Sequence, residues 1–205
     1  MRKARLFAPM ISLGLLLSAC GAVETETLDI QAQYQEMTAA QVEAELTCHF
    51  GDEVRTYSLV CDYTPESSRV EVTAPESLSG IAATVDGETL QLSYDDVMLD
   101  AGIYSGTQLS PMWAVPSMVQ AMAEGYPLEY CREDVGETQC LRVTFEVTGE
   151  DDEKVYYAVW FGEDDLPLRG EITVDGAVIY MVEFTNFTKE GWNDGTTAAE
   201  DLGGD

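Results

Sequence analysis

The chain has 205 residues, 45% hydrophobic and 23% charged, with 38 acidic against 10 basic side chains and a net charge of −28. This excess of carboxylates excludes a nucleic-acid binder, which must present Lys and Arg to phosphates, and a domain that docks on anionic lipid through a basic face. Val, Leu, Ile, Tyr and Phe recur periodically, so the charge sits on a soluble, folded domain with a single core.

Arg2, Lys3 and Arg5 precede an apolar run from Leu6 to Leu17 that is too short to span a bilayer. A basic start, an apolar centre and small residues at the end are the order of a secretory signal. Leu17-Ser18-Ala19-Cys20 resembles the lipobox of bacterial lipoproteins. That resemblance makes residues 1–19 a lipoprotein signal peptide and Cys20 the lipidated first residue. It implies attachment through the lipid to the extracytoplasmic face of the cell membrane, stable when more than one acyl chain is carried. The segment removed holds three basic residues and no acidic one, so the charge moves from −28 to −31 and seven basic residues remain. Residues 20–27 read as a short lipidated polar tether.

Leu28 to Met37 reads as a short helix or an irregular lead-in, with Leu28, Ala32, Tyr34 and Met37 as its apolar positions. Strict alternation follows: Ala40, Val42, Ala44, Leu46, Cys48 and Phe50 share one face, which specifies a half-buried strand. Tyr57, Leu59, Cys61 and Tyr63 form the inner face of the next. Setting Cys48 opposite Cys61 places Leu46 against Tyr63 and Phe50 against Leu59, apolar with apolar throughout. Opposed residues lie within disulfide range, and four cysteines remain after Cys20 in an exported chain. The expectation is therefore two hairpin disulfides, Cys48–Cys61 and Cys131–Cys140. The second places Tyr130 against Leu141 and Leu128 against Val143.

Val70, Val72 and Ala74 alternate up to Pro75. Ile81, Ala83 and Val85 lead to Asp86-Gly87, a two-residue turn signal that pairs Ala83 with Leu90 and Ile81 with Leu92. Ser110-Pro111 reads as a cap and first turn. The helix it opens is broken or restarted at Pro116 and stopped at Gly125, with Val115, Met118, Val119 and Met122 as its apolar stripe. Strands follow over 141–147, 155–161, 166–174 and 178–187. Across Asp175-Gly176 a plain hairpin mixes the faces unless a bulge shifts the register. The domain spans 28–188, and 189–205 reads as an acidic disordered tail.

About ten antiparallel strands interrupted by an apolar helical pair resemble the LolA/LolB-like lipoprotein carriers and receptors and their relatives in monoderm bacteria. The matching stretches are Pro75-Glu76-Ser77-Leu78-Ser79-Gly80-Ile81, Asp86-Gly87-Glu88-Thr89-Leu90 with Tyr94, the hairpin from Trp160 to Glu171, and Glu183-Phe184-Thr185-Asn186-Phe187. The resemblance implies a mainly β fold, a curved antiparallel half-barrel with short helices covering its concave mouth. It implies a lipid or the acyl chains of a lipoprotein as partner. The two expected disulfides are not associated with that family, and no functional residue of it can be placed here.

Chemistry for an enzyme is sparse. His49 is the single histidine, on the polar face of a strand, and a nucleophilic triad would have to use it. Asp95-Asp96, Glu150-Asp151-Asp152-Glu153 and Glu163-Asp164-Asp165 read as solvated turns rather than calcium loops. No catalytic residue, metal or cofactor is expected, and no partner is needed for a monomer. Met98, Trp113, Met118, Met122 and Trp160 are the candidates to line an apolar site, since thioethers adapt to irregular apolar ligands. Tyr156, Ala158 and Trp160 lie on one strand face while Val155, Tyr157, Val159 and Phe161 lie on the other, so both faces of that strand are covered or one binds. The reading is a membrane-anchored binder of lipid or another apolar ligand. The alternative is a non-enzymatic envelope or spore-assembly protein with a filled core.

Overall fold

A computed structural model describes residues 23–86, 89–95, 97–103, 110–148 and 153–191, with the side chains of 101–103 left aside. Among these residues are eleven strands in one antiparallel sheet: β1 Ala39–Phe50, β2 Glu53–Tyr63, β3 Ser67–Ala74, β4 Ala82–Asp86, β5 Thr89–Tyr94, β6 Val97–Ile103, β7 Tyr126–Val135, β8 Thr138–Thr148, β9 Lys154–Phe161, β10 Pro167–Val174 and β11 Ala177–Glu190. Helix α1 covers residues 23–36 and α2 covers Ala114–Glu124. The expected signal peptide over residues 1–19, Cys20, Gly87, Glu88, Asp96, Glu150 to Asp152 and the expected tail from Trp192 fall outside the described residues.

The strand order is β6-β5-β4-β3-β2-β1-β11-β10-β9-β8-β7. Two meanders are joined where β1 pairs with β11, so the chain leaves the sheet at edge β6 and re-enters it at edge β7. Helix α2 lies in that crossover and is carried over one face. It contacts β2, β8, β10 and β11. Strands β2 and β8 are five spacings apart, about 24 Å in a flat sheet, whereas a helix is only about 10 Å wide. One helix reaches both only if the sheet curves around it. The expected open half-barrel is present, with eleven strands in place of about ten.

The alternation of β1 is met from Ala40 to Cys48: Ala40, Val42, Ala44, Leu46 and Cys48 are buried, whereas Phe50, expected on the same face, is 47% exposed at the strand end. They join Val159, Phe161, Ile172 and Val182 from the other meander in one core with α1 and α2. The registers differ from expectation. Cys48 lies opposite Arg55 and Cys61 opposite Val42, because the β1–β2 turn is Gly51-Asp52, with Gly51 at φ 63. Six strand positions, about 20 Å, therefore separate the two thiols. Cys131 lies opposite Arg142 and Cys140 opposite Glu133, around a turn at Gly136 with φ 62. The four described cysteines, Cys48, Cys61, Cys131 and Cys140, are free thiols, and neither expected disulfide is formed. The β4–β5 hairpin also shifts by two: Ala83 pairs with Leu92 and Val85 with Leu90.

The bulge expected in the last hairpin is there. Asp175 and Gly176, at φ 51 and 77, make a turn with both central residues left-handed, and the register shifts between Ile172 and Thr173. Residues 23–27, expected as extended tether, are the first turns of α1. Its buried positions are Thr27, Ile30, Gln31 and Tyr34, while Leu28 and Ala32 are exposed. Strand β11 runs to Glu190, two residues past the expected end of the domain.

Candidate functional site

On the concave face of the described residues, separable elements rather than paired strands cover apolar side chains. Ser110 opens it as expected. Its hydroxyl accepts from the Met112 amide at 3.3 Å, and Pro111 starts a 3-10 turn through Trp113. Pro116 then falls in the first turn of α2, where its missing N–H costs nothing. Gly125 stops the helix with a β-region ψ of 151 rather than a left-handed φ. What requires glycine there is space: a Cβ would stand 2.5 Å from the Ala121 carbonyl oxygen and 2.8 Å from Phe145 Cβ.

Helix α2 is apolar on almost every side. Val115, Met118, Val119 and Met122 are 0% exposed. Met118 lies against the backbone of β10, where a Cβ on Gly170 would come 2.1 Å from its sulfur. The glycine thus gives the thioether its seat on the sheet. Ser117 back-bonds to the Ala114 carbonyl at 3.1 Å. Tyr157 from β9 lies beside it, its phenol held above its ordinary pKa by burial, with the Ser117 hydrogen bond pulling the other way.

Helix α1 straps the rim beside α2 through polar side chains, Gln31 and Tyr34 in its buried stripe and Gln33 and Gln35 beside it. Gln31 donates to the Gly125 carbonyl at 2.7 Å and Gln35 to the Ala123 carbonyl at 3.0 Å, tying α1 to the end of α2. The Tyr34 hydroxyl donates to the Asp165 carbonyl at 2.9 Å, and Gln33 to the Asp165 carboxylate at 2.7 Å. Burial pushes the Tyr34 phenol well above its ordinary pKa, and the charges of Asp165 and Asp164 add to that. Lys189 stands 4.8 Å from the Tyr34 ring, its pKa lowered by burial against the opposing pull of Asp165 and Asp164. Tyr34 also meets Phe161 and Phe187 at centroid distances of 5.8 and 6.0 Å. The turn Glu163-Asp164-Asp165, read as merely solvated, is the landing point of α1.

The five expected lining residues divide among three places. Met118 and Met122 are in the concavity, with Trp113 half-buried at the head of α2. Met98 is 67% exposed on edge strand β6. Trp160 points to the convex face, where Cys140, Ala158, Val135 and Leu168 surround it. Its ring lies between the guanidinium groups of Arg142 and Arg169, at 5.3 and 5.2 Å. That contact answers the question of the doubly apolar strand: one face of β9 is core and the other is covered by two arginines. An open cleft of about 330 Å³ lies at the sheet end beside Gln41, Asp62, Tyr63, Arg69 and Glu190. Its charged lining makes it unlike the dry apolar pocket expected of a lipid site. No group of His, Cys, Asp and Glu suited to a metal occurs among the described residues, and no described helix is long and apolar enough to cross a membrane.

No protein-family model and no curated protein matches the chain. Among solved structures it is similar to a DUF1329 family protein from Desulfovibrio piger, at 12% identity and TM-score 0.47, over 83% of this chain and 92% of that one. It is similar to a LolA superfamily protein from Nitrosomonas europaea, at 13% identity and TM-score 0.45, over 79% and 92%. A third is the Mycobacterium tuberculosis lipoprotein LppX, at 14% identity and TM-score 0.42, over 84% and 94%. At these identities the roles of individual residues rest on this chain's own geometry.

Proposed function

We propose that the chain is an extracytoplasmic lipoprotein, anchored through a lipid on Cys20, that takes an acyl chain of a lipid or lipoprotein into its half-barrel. The observation that carries this reading is the occupant of the concavity. Helix α2, with Val115, Met118, Val119 and Met122, fills the space that a closed sheet would fill with its own side chains. A helix seated by dispersion contacts and tied at its end by two glutamine hydrogen bonds can be displaced by another apolar body. Each neutral hydrogen bond contributes only about 1 kcal/mol net. The thioethers of Met118 and Met122 re-form contacts with irregular shapes. Nothing in the site supplies a nucleophile with its base, so binding rather than turnover is the proposed activity.

The test is native mass spectrometry of the chain from Gly21 onward, as purified and after incubation with phosphatidylethanolamine and with free palmitate. A stoichiometric apolar adduct, weakened by a disulfide engineered between α2 and β10, is the expected result. A clean apo mass with no uptake of either lipid overturns the reading.

A further inference from the structure

The distance from the lipid to the first fixed residue decides how the domain stands. Cys20 and Val23 are separated by Gly21 and Ala22 alone, so their Cα atoms are at most about 11 Å apart. Residue 23 already belongs to α1, and α1 is not free to swing. Val23 packs against the core, and Thr27, Ile30 and Tyr34 are buried beneath the helix. Near its start, Arg132 of β7 donates to Glu26 at 2.7 Å. Its far end is held at Asp165, and Thr38 just beyond donates from its amide to the Glu190 carbonyl at 3.0 Å. Arg132, Asp165 and Glu190 belong to the same end of the strands, the end that carries the Gly136 and Asp165 turns. Helix α1 therefore runs along one rim of the half-barrel, and the lipid leaves from the start of that rim.

We infer that this rim faces the membrane: the bilayer leaflet that holds the Cys20 lipid is the partner surface of α1 and the β7–β8 turn. The opposite rim, with the Gly51-Asp52 and Asp175-Gly176 turns, points away. This rests on the proposed lipidation of Cys20. A tether of ordinary length would let the domain tumble above the surface, but one of about 11 Å does not. The contact is imposed by the covalent lipid and not by affinity. Glu24, Asp29, Glu133, Asp134 and Glu137 are all exposed near the attachment point, and carboxylates are repelled by anionic headgroups. A lipid molecule leaving the leaflet would meet α1, the strap over the concavity, before any other element.

The protein supplies its own probe. Cys131 is exposed and adjoins Arg132, whereas Cys48, Cys61 and Cys140 are buried. The lipidated full chain is labelled at Cys131 with a fluorescent donor and placed on phosphatidylcholine vesicles carrying a trace of headgroup-labelled acceptor. The comparison is Ala177→Cys in a Cys131→Ser background. Cys131 is in register with Arg169 through Arg142 and Trp160, and Arg169 lies five residues along β10 from Val174, the partner of Ala177. The two labels thus differ by about 17 Å along the strands. Energy transfer several-fold stronger from position 131 than from 177 is expected. A Gly/Ser insertion after Ala22 that adds about 25 Å of reach should abolish the difference. Equal transfer from the two positions without the insertion overturns the orientation. Intact mass separates the two ideas: a mass lacking a diacylglycerol on Cys20 overturns the lipidation itself, whereas a lipidated chain with equal transfer overturns only the orientation.

Discussion

Cys48 and Cys61 face one core from neighbouring strands, yet the register keeps them far apart, and their chemistry follows from burial alone. Desolvation pushes each thiol up to about 12, with the charge of Asp62 adding to the effect on Cys61. In the unfolded chain they ionise near their ordinary value of 9.0. Between those values the native state holds more protons than the unfolded one, so stability falls as pH rises. The contribution of the two thiols is complete below pH 9 and is lost toward pH 12. Replacing both with Val should flatten that part of the stability profile measured by urea unfolding; an unchanged slope would show that the thiols do not feel the core. A second outcome concerns reactivity. At pH 8 one thiol, Cys131, should react with a maleimide, and the three buried ones only in denaturant. Protection of Cys131, or a mass two protons short, would restore the expected Cys131–Cys140 bridge.

At the scale of elements, the faces of the strands were legible and the registers were not. A slip of six between β1 and β2, or of two between β7 and β8, is an even number of positions and so leaves the side chains on their own faces, although it sets Cys48 against Arg55 and Phe50 against Glu53 in place of apolar partners. Alternation therefore cannot see it. The signal that could have found it is the turn itself, since Gly51-Asp52 is a two-residue hairpin sequence in its own right. For the site, the stripe of α2 was legible because a period near four marks one helix face, and all four of its residues are buried. The anchors Gln31 and Gln35 of α1 were not, because glutamines carry no hydrophobic signal, and Tyr34 was legible only as an apolar position, not through the hydrogen bond of its hydroxyl. Gly170 is a further residue that pattern reading passes over, and it carries a quantitative expectation. Gly170→Ala should destabilise by about 1–3 kcal/mol through the collision with Met118. Met118→Ala should cost about 2–5 kcal/mol by opening a cavity. In the double variant the new methyl enters the space the thioether leaves. Chemical denaturation of all four proteins should give a coupling on the order of 1–2 kcal/mol. Strict additivity would mean that Met118 does not sit on Gly170.

Charge acts on the molecule as a whole. Six basic residues of the described chain are in ion pairs: Arg55, Arg69, Arg132, Arg142, Lys154 and Arg169. These pairs are exposed or half-exposed, and such pairs each stabilise by about 0–1 kcal/mol. They also leave the large remainder of carboxylates without a compensating charge, and a net charge this far from zero destabilises the compact state by self-repulsion. Two effects of salt therefore oppose each other. Screening weakens the local pairs, which span only a few ångströms, and it weakens the repulsion, which acts over the whole surface. The screening length falls from about 30 Å at 0.01 M to about 8 Å at 0.15 M. Over that interval contacts a few ångströms long are little affected, while repulsion across a domain tens of ångströms wide is largely removed. The repulsive term should win. The Tm should rise with potassium chloride over this range, by about 2–8 °C if the relief is on the order of 1–2 kcal/mol. A Tm that falls with salt would place the stabilising weight on the ion pairs instead, with Arg132–Glu26, the clasp at the start of α1, the first to examine.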